Sequence, residues 1–341
     1  MSHTIEMIET LPLPDASLLP GLSFRRFQGE SDYPNILAVI NGMMRTDGIQ
    51  NSATLEDIAN NYQHLINCDP YQDMLFAELK GEVQGYGRIW WMQEENGLRR
   101  YITLLYLLPA LREDAIGHIM ADWFETRLRQ KAAADPVGDG VVLEVFASDK
   151  QPWISALWDA RGYDPVRYGF DMVRDLGQPI LDVPCPPGIQ VRPITEDMLR
   201  TCWDASQEAF RDHWGYVPPT ESQYEGWLKE VKDEYPLWKV GFAGEEIAGQ
   251  VQNFINKEEN AEFNRLRGYT EGISTRRPWR KMGLARYLLT ESMKMFEEMG
   301  MTETALAVDA ENPNGALQLY ESVGYRVVLK GVTYRKPVTS E

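Results

Sequence analysis

The 341-residue sequence predicts an α/β (α+β) protein made of two tandem copies of one fold, each a mixed sheet with helices on its faces. Three observations predict it. The chain is longer than one compact domain normally requires, and its 43% hydrophobic and 25% charged side chains are an ordinary globular balance. The segment DLGQPILDVPCPPG, residues 175–188, holds four prolines, which remove backbone donors and resist both helix continuation and central strand pairing. It therefore reads as a linker between halves of similar length, and the same kinds of element follow one another in both halves.

Each half opens on a short strand, LSFRRF at 22–27 and IQVRPI at 189–194, followed by two helical stretches. Two neighbouring strands come next, DMLFAEL and EVQGYGRIWWM in the first half, LWKVGFA and EIAGQVQNFI in the second. A third strand follows, RRYITLLYL or LRGYTEGIST. The apolar spacing then turns helical. Ile116, Met120, Phe124 and Leu128 share one face in the first half; Leu284, Leu288 and Ser292 stand beside Ala285, Leu289, Met293 and Phe296 in the second. A strand (VVLEVFA or ETALAVDA), a short helix and a closing strand (YDPVRYGFDMV or YRVVLKGVTY) complete each copy. Near that short helix, Trp158 stands four residues before Gly162-Tyr163, as Tyr320 does before Gly324-Tyr325. The expected domains are thus 1–175, a linker at 176–187, and 188–341.

Acidic residues outnumber basic ones by 51 to 34, giving a net charge of −17, and such a surface repels nucleic acid and anionic lipid. Neither is expected as a partner. Cys68, Cys185 and Cys202 are far apart with no CxxC pairing, and His3, His64 and His118 lack ligand spacing, so neither a disulfide framework nor a metal is indicated. The first fifteen residues carry acids and prolines where a signal peptide needs a basic start and an apolar run, and no stretch approaches a membrane span. A cytoplasmic protein, monomer or homodimer, is expected.

Against that acidic background, residues 276–286 read RRPWRKMGLAR, five basic residues and no acid. The run lies where a strand hands over to a helix, with Gly283 and Ala285 allowing close approach to the backbone. Free N–H groups at a helix N-terminus form an anion site, so a phosphate or pyrophosphate fits. A capped helix start whose arginines only face solvent is the alternative.

Arg280-Lys-Met-Gly283-Leu-Ala285 resembles the R/Q-x-x-G-x-G/A pyrophosphate loop of the GNAT superfamily of N-acetyltransferases, and Thr275-Arg-Arg-Pro278 its preceding V-x-P-like turn. The stretch from Leu306 through Asn312, Ala316 and Tyr320 to Gly324-Tyr325 resembles its second signature, L-x-V, Asn, Ala, then L-Y-x-x-x-G-F/Y. The Asn312 to Ala316 spacing is one residue longer than the commonest form, so Asn312 and Asn314 share the asparagine position. The two-copy layout is similar to mycothiol synthase-like tandem acetyltransferases. Each copy is then expected to hold a mostly antiparallel mixed sheet flanked by helices.

The resemblance implies acetyl-CoA as donor and no metal. Its pyrophosphate would meet the backbone of Arg280, Lys281, Met282, Gly283, Leu284 and Ala285, with Arg276, Arg277 and Lys281 near the ribose phosphate or in solvent. Ile273, Ser274 and Thr275 lie on the strand whose backbone pairs with the pantetheine arm and polarises the thioester carbonyl. The acceptor, a primary amine of a small and possibly cationic molecule, must shed a proton. At a reference pKa near 10.4 this costs about 4.6 kcal/mol at pH 7. Glu271 on the third strand is the candidate base, with Asp309 and Glu311 as alternatives. Tyr320 matches the tyrosine that protonates the departing thiolate. In water that transfer is uphill by about 2 kcal/mol, so hydrogen bonding alone is a second possibility. A packed aromatic and a solvent-facing carboxylate are the structural alternatives for these two residues. His213, Trp214 and Tyr216 fall between the early helices that border the acceptor pocket in this superfamily.

The matching loop of the first half reads Pro109-Ala-Leu-Arg112-Glu-Asp-Ala115-Ile-Gly117, with Glu113 and Asp114 after the arginine and Ala115 for the glycine. Trp158 replaces Tyr320, and an indole N–H is no proton donor to a thiolate. The first half is therefore expected to be degenerate and the second catalytic. A catalytically idle acyl-CoA-binding or regulatory module is the alternative for the whole chain.

Overall fold

The computed structural model describes residues 19–112, 115–136 and 140–338, so the N-terminal segment, His3, and the Glu113-Asp114 pair lie outside the described residues. The chain forms two compact units, Met1–Val166 together with Thr333–Glu341, and Arg167–Val332.

In the first unit, β1 (Leu22–Arg25) precedes helices α1 (Tyr33–Thr46), α2 (Leu55–Gln63) and the single turn α3 (Pro70–Asp73). Strands β2 (Met74–Leu79), β3 (Glu82–Gln93) and β4 (Arg99–Leu107), helix α4 (Ile116–Ala134), strand β5 (Val141–Ser148), helix α5 (Pro152–Ala160) and the start of β6 (Asp164–Asp175) follow. The sheet order is β1-β2-β3-β4-β5, antiparallel throughout except for β4 against β5. Helix α2 begins on a capping box, in which Thr54 accepts from the Asp57 amide and the Asp57 carboxylate accepts from Thr54 N–H. Ile116, Met120, Phe124 and Leu128 are fully buried, as their spacing on α4 predicts.

The second unit repeats the plan. After β6 come β7 (Gln190–Arg192), α6 (Leu199–Phe210), α7 (Glu221–Val231), β8 (Lys239–Ala243), β9 (Glu246–Phe254) and the short α8 (Lys257–Glu262). Then come β10 (Arg267–Thr275), α9 (Leu284–Glu298), β11 (Glu303–Asp309), α10 (Ala316–Ser322) and β12 (Arg326–Pro337). The order is β7-β8-β9-β10-β11-β6, again with one parallel pair, β10 and β11. Leu284, Leu288, Leu289, Met293 and Phe296 of α9 pack with Leu306, Val308, Tyr320 and Tyr325 into one buried cluster.

The units part at Val166/Arg167 and not at the expected 175/176, and the chain's last residues belong to the first unit. Pairing explains the shift: β6 runs antiparallel to β11 from Gly169 to Asp175, which commits those residues to the second unit. The proline-rich segment therefore joins β6 to β7 inside that unit. Buried Arg174 anchors its start, donating to the carbonyls of Val323, Asp175, Gln178 and Pro179 at 2.9–3.2 Å. Four carbonyl acceptors offset part of the cost of burying a guanidinium that has no carboxylate among these partners.

The end of β12 is held in the first unit by alternating charges. Arg335 meets Glu94 at 2.9 Å and Glu144 at 2.7 Å; Arg100 meets the same two carboxylates at 2.9 and 2.6 Å. Both glutamates are almost wholly buried. Arg335→Met leaves two buried carboxylates to one guanidinium, and is expected to cost about 3 kcal/mol in urea unfolding followed by tryptophan fluorescence.

Candidate active site

The site begins with a parallel pair that stops early. Strands β10 and β11 pair from Arg267–Glu303 to Tyr269–Ala305, yet β10 runs on to Thr275 and β11 to Asp309. Beyond Tyr269 no residue of β10 is in register with β11, while its other edge stays paired to β9. On that side the register skips between Glu271 and Ser274, placing one extra residue on β10; Gly272 adopts φ +53° there, a left-handed conformation. The bulge falls at Gly272 and Ile273, immediately ahead of Ser274 and Thr275 in the expected donor-binding stretch.

At the end of β10 a turn of 3-10 helix (Arg277–Trp279) leads into α9. Lys281 has φ +64° and Gly283 φ +86°, so left-handed residues recur just before the helix. Backbone turns of this kind form anion-binding concavities. The first bond of α9 runs from Tyr287 N–H to the Gly283 carbonyl, and no side chain caps the helix, so the amides of Leu284, Ala285 and Arg286 are left to other acceptors. A Cβ at Gly283 would meet nothing within 4 Å. Glycine is required there by its φ, and its outer side is open.

The side chains of the basic run are arranged differently from expectation. Arg276 pairs with Glu208 at 2.8 Å and Glu246 at 3.2 Å, and Arg277 pairs with Asp212. Arg280 turns inward, donating to the Thr275 carbonyl at 3.0 Å, the Ala209 carbonyl at 2.9 Å and Asp212 at 2.6 Å. The run thus contains no acid in sequence, but Arg276, Arg277 and Arg280 are paired with acids from α6, the loop after it, and β9. Lys281 and Met282 are exposed.

Glu271 lies on the stretch of β10 beyond its pairing with β11. Burial raises its carboxyl to about 7, with the Ala307 backbone hydrogen bond opposing and the negative Asp171 reinforcing the rise. Tyr320 on α10 is buried, 6.2 Å centroid to centroid from Tyr325, and its hydroxyl is pushed upward by burial, with Tyr325 and Glu271 adding to it. The candidate base is therefore mostly buried and near neutrality, and the candidate acid stays protonated.

The loop after α6 lies against the segment following β11. Asn312 Nδ2 is 3.5 Å from His213 Nε2, and Asn312 Oδ1 accepts from the Asn314 amide at 2.8 Å. Asn314 Oδ1 in turn lies 3.5 Å from Arg280. Burial lowers the His213 pKa, keeping the ring neutral. Trp214 is partly exposed beneath the Arg167 guanidinium, which binds Asp309 at 2.7 and 2.8 Å and Glu311 at 2.9 Å. Asp309 and Glu311, the alternative bases, are thus held by an arginine. Tyr216 lies on the same loop.

A family model described as acetyltransferase (GNAT) family matches residues 199–325. A GCN5-related N-acetyltransferase from Sphaerobacter thermophilus is 25% identical, with a TM-score of 0.69 over 93% of this chain and 96% of its own. Residues 199–325 are thus a GNAT acetyltransferase domain, and the whole chain has the fold of tandem GNAT proteins. Its fold is also similar to a tandem GNAT protein from the clavulanic acid biosynthesis pathway (14% identity, TM-score 0.61, 93% and 100% covered). An acetyltransferase from the GNAT family of Colwellia psychrerythraea gives 12% identity and a TM-score of 0.55, with 92% and 99% covered. No curated protein matches the sequence. GNAT membership implies an acyl-CoA donor and an acceptor substrate. Among the described residues no helix is long and apolar enough to cross a membrane, and no cluster of three His, Cys, Asp or Glu suits a metal.

The two GNAT copies differ where the site lies. In the first unit β4 and β5 also part early, after Ile102–Glu144, but β3 and β4 pair without a skip. Allowing for the extra residue on β10, Leu104 opposite Arg88 stands where Glu271 stands opposite Gln252, and it holds no carboxylate. Ala115, at the Gly283 position, has φ −63° and forms no left-handed turn. The Trp158 indole N–H is spent on the Phe146 carbonyl at 3.3 Å. Sequence reasoning missed Asp212, Asp171 and the Ala307 amide, since their roles depend on which strands and loops meet.

Because the folded Glu271 carboxyl sits near 7, above its ordinary 4.5, folding takes up a proton there. Its penalty is absent below the ordinary value and grows as pH rises through 7. Glu271→Gln is therefore expected to match the parent's stability near pH 4.5 and exceed it at pH 8, by about 2–3 kcal/mol in denaturant unfolding.

Proposed function

We propose that the second unit transfers acetyl from acetyl-CoA to the primary amine of a small cationic acceptor by direct attack on the thioester. One observation carries this reading: Glu271, raised to about 7, stands on the stretch of β10 that has left β11, immediately before the bulge. A base poised near working pH is half ionised where an ammonium must be deprotonated. The first unit, with Leu104 there, has no such group.

The residues divide the work. The amides from Arg280 to Ala285 would hold the pyrophosphate, and the unpaired edge at Ile273, Ser274 and Thr275 would orient the pantetheine arm and polarise the carbonyl. Acetyl-CoA, when bound, supplies the activated acyl group. Glu271 accepts the amine proton. Tyr320 donates a hydrogen bond to the departing sulfur, and its upward shift favours that over outright proton transfer. The exposed face of the loop holding His213, Trp214 and Tyr216 would select the acceptor, with Asp171 adding negative field that suits a cation. Asn312 and Asn314 would order the loop next to the donor more than touch it, since their side chains bond within the protein.

The test is acetyl-CoA turnover against a panel of amines, amino acids, polyamines and aminoglycosides. A cationic amine is expected to be the preferred acceptor, with kcat/KM rising through an apparent pKa near 7. Glu271→Gln is expected to lose that limb and about 10²–10⁴ in rate, and Tyr320→Phe about 10- to 100-fold in kcat. Turnover with no amine, or Glu271→Gln at parental rate, would refute the reading.

A further inference from the structure

Arg280 is the arginine of the donor-loop signature, yet its guanidinium is taken up by acceptors of the protein itself. Its Nε donates to Thr275, the last residue of β10, and its Nη atoms reach Ala209 at the end of α6 and Asp212 just past it. Three segments meet on this one side chain: the strand end, the donor loop and the loop after α6. A fourth, the 310–315 segment, reaches it through Asn314 at 3.5 Å. Asp212 completes the lock by also binding Arg277, and these two guanidinium bonds hold its carboxyl far below the ordinary range.

The first unit contains the same device. Arg112, five residues past Leu107 as Arg280 is five past Thr275, donates Nε to the carbonyl of Leu107, the last residue of β4, at 2.9 Å. Its Nη atoms meet Asp47, the residue after α1, at 2.6 and 3.2 Å. Gln151, ahead of α5, binds Asp47 at 3.0 Å, as a residue ahead of α10 reaches Arg280 in the other copy. The arginine–aspartate clamp is present in the copy that has lost the loop glycine, the carboxylate and the tyrosine. A phosphate-binding arginine would have no reason to keep that geometry there; a clamp holding strand end, loop and helix end together would.

We infer that Asp212 and Arg280 are a positioning pair that holds the donor loop in its binding geometry, and that neither supplies charge to the bound phosphates. This rests on the acetyl-CoA reading of the loop. The pair tethers the loop through its side chains and leaves the first amides of α9, at Leu284, Ala285 and Arg286, to other acceptors. Its counterpart in the first unit fastens a loop with no ligand to align.

The experiment measures KM for acetyl-CoA and kcat in the full-length protein, with melting temperature alongside. Assays run at 0.3 M NaCl, where the stray attraction of an unpaired arginine for phosphate is screened. Asp212→Asn is expected to raise KM at least about tenfold with kcat changed less than about threefold. Arg280→Lys keeps the charge but loses the planar fork, and is expected to raise KM by a similar factor. Asp212→Glu should recover most of the loss. Asp47→Asn, the same change in the other copy, should lower the melting temperature and leave KM unmoved. Parental KM in Arg280→Lys and Asp212→Asn, or an equal rise in Asp47→Asn, would overturn the inference while the acetyl-CoA reading stood. If the unsubstituted protein neither bound nor turned over acetyl-CoA, that reading would fall and this inference with it.

Discussion

The site in the second unit depends on the early end of one parallel strand pair. Backbone donors and acceptors must be satisfied somewhere, and a strand that leaves its neighbour halfway along presents a row of them to whatever fits. Beyond Tyr269, β10 has a partner in register only on the β9 side. An extended, amide-bearing ligand arm is the natural complement to such an edge. The same parting brings the Ala307 amide to Glu271, so one topological event supplies the slot and places the carboxylate.

The duplicated fold separates architecture from chemistry. Both units keep the parted parallel pair, the helix that follows it and the arginine–aspartate clamp. Only the second has the bulged strand, the left-handed glycine and a tyrosine beside its closing aromatic. In the first, an alanine with φ −63° and a tryptophan bonded to the Phe146 carbonyl stand in those places. Features common to both copies are best explained by folding, and features confined to one by what that copy binds.

The sequence carried the element order, the buried face of α4 and the strand-to-helix position of the basic loop, because periodicity and turn residues are local signals. Glu271 was visible as an acid on the third strand of the second copy. Its shifted carboxyl was not, since burial and the field of Asp171 come from strands that meet only in three dimensions. The pairing of the basic run was not legible for the same reason. Its lack of acids is true of eleven consecutive residues, but Glu208, Asp212 and Glu246 arrive from other elements. The domain boundary moved because prolines mark irregular chain, whereas pairing of β6 with β11 decides which unit the chain belongs to.

The central claim is that one unit of two takes the donor. Isothermal titration of the full-length protein with acetyl-CoA tests it most directly. The account predicts a stoichiometry of one molecule per chain. Two sites of comparable affinity would contradict the division of roles between the copies, and no binding at all would contradict the site itself.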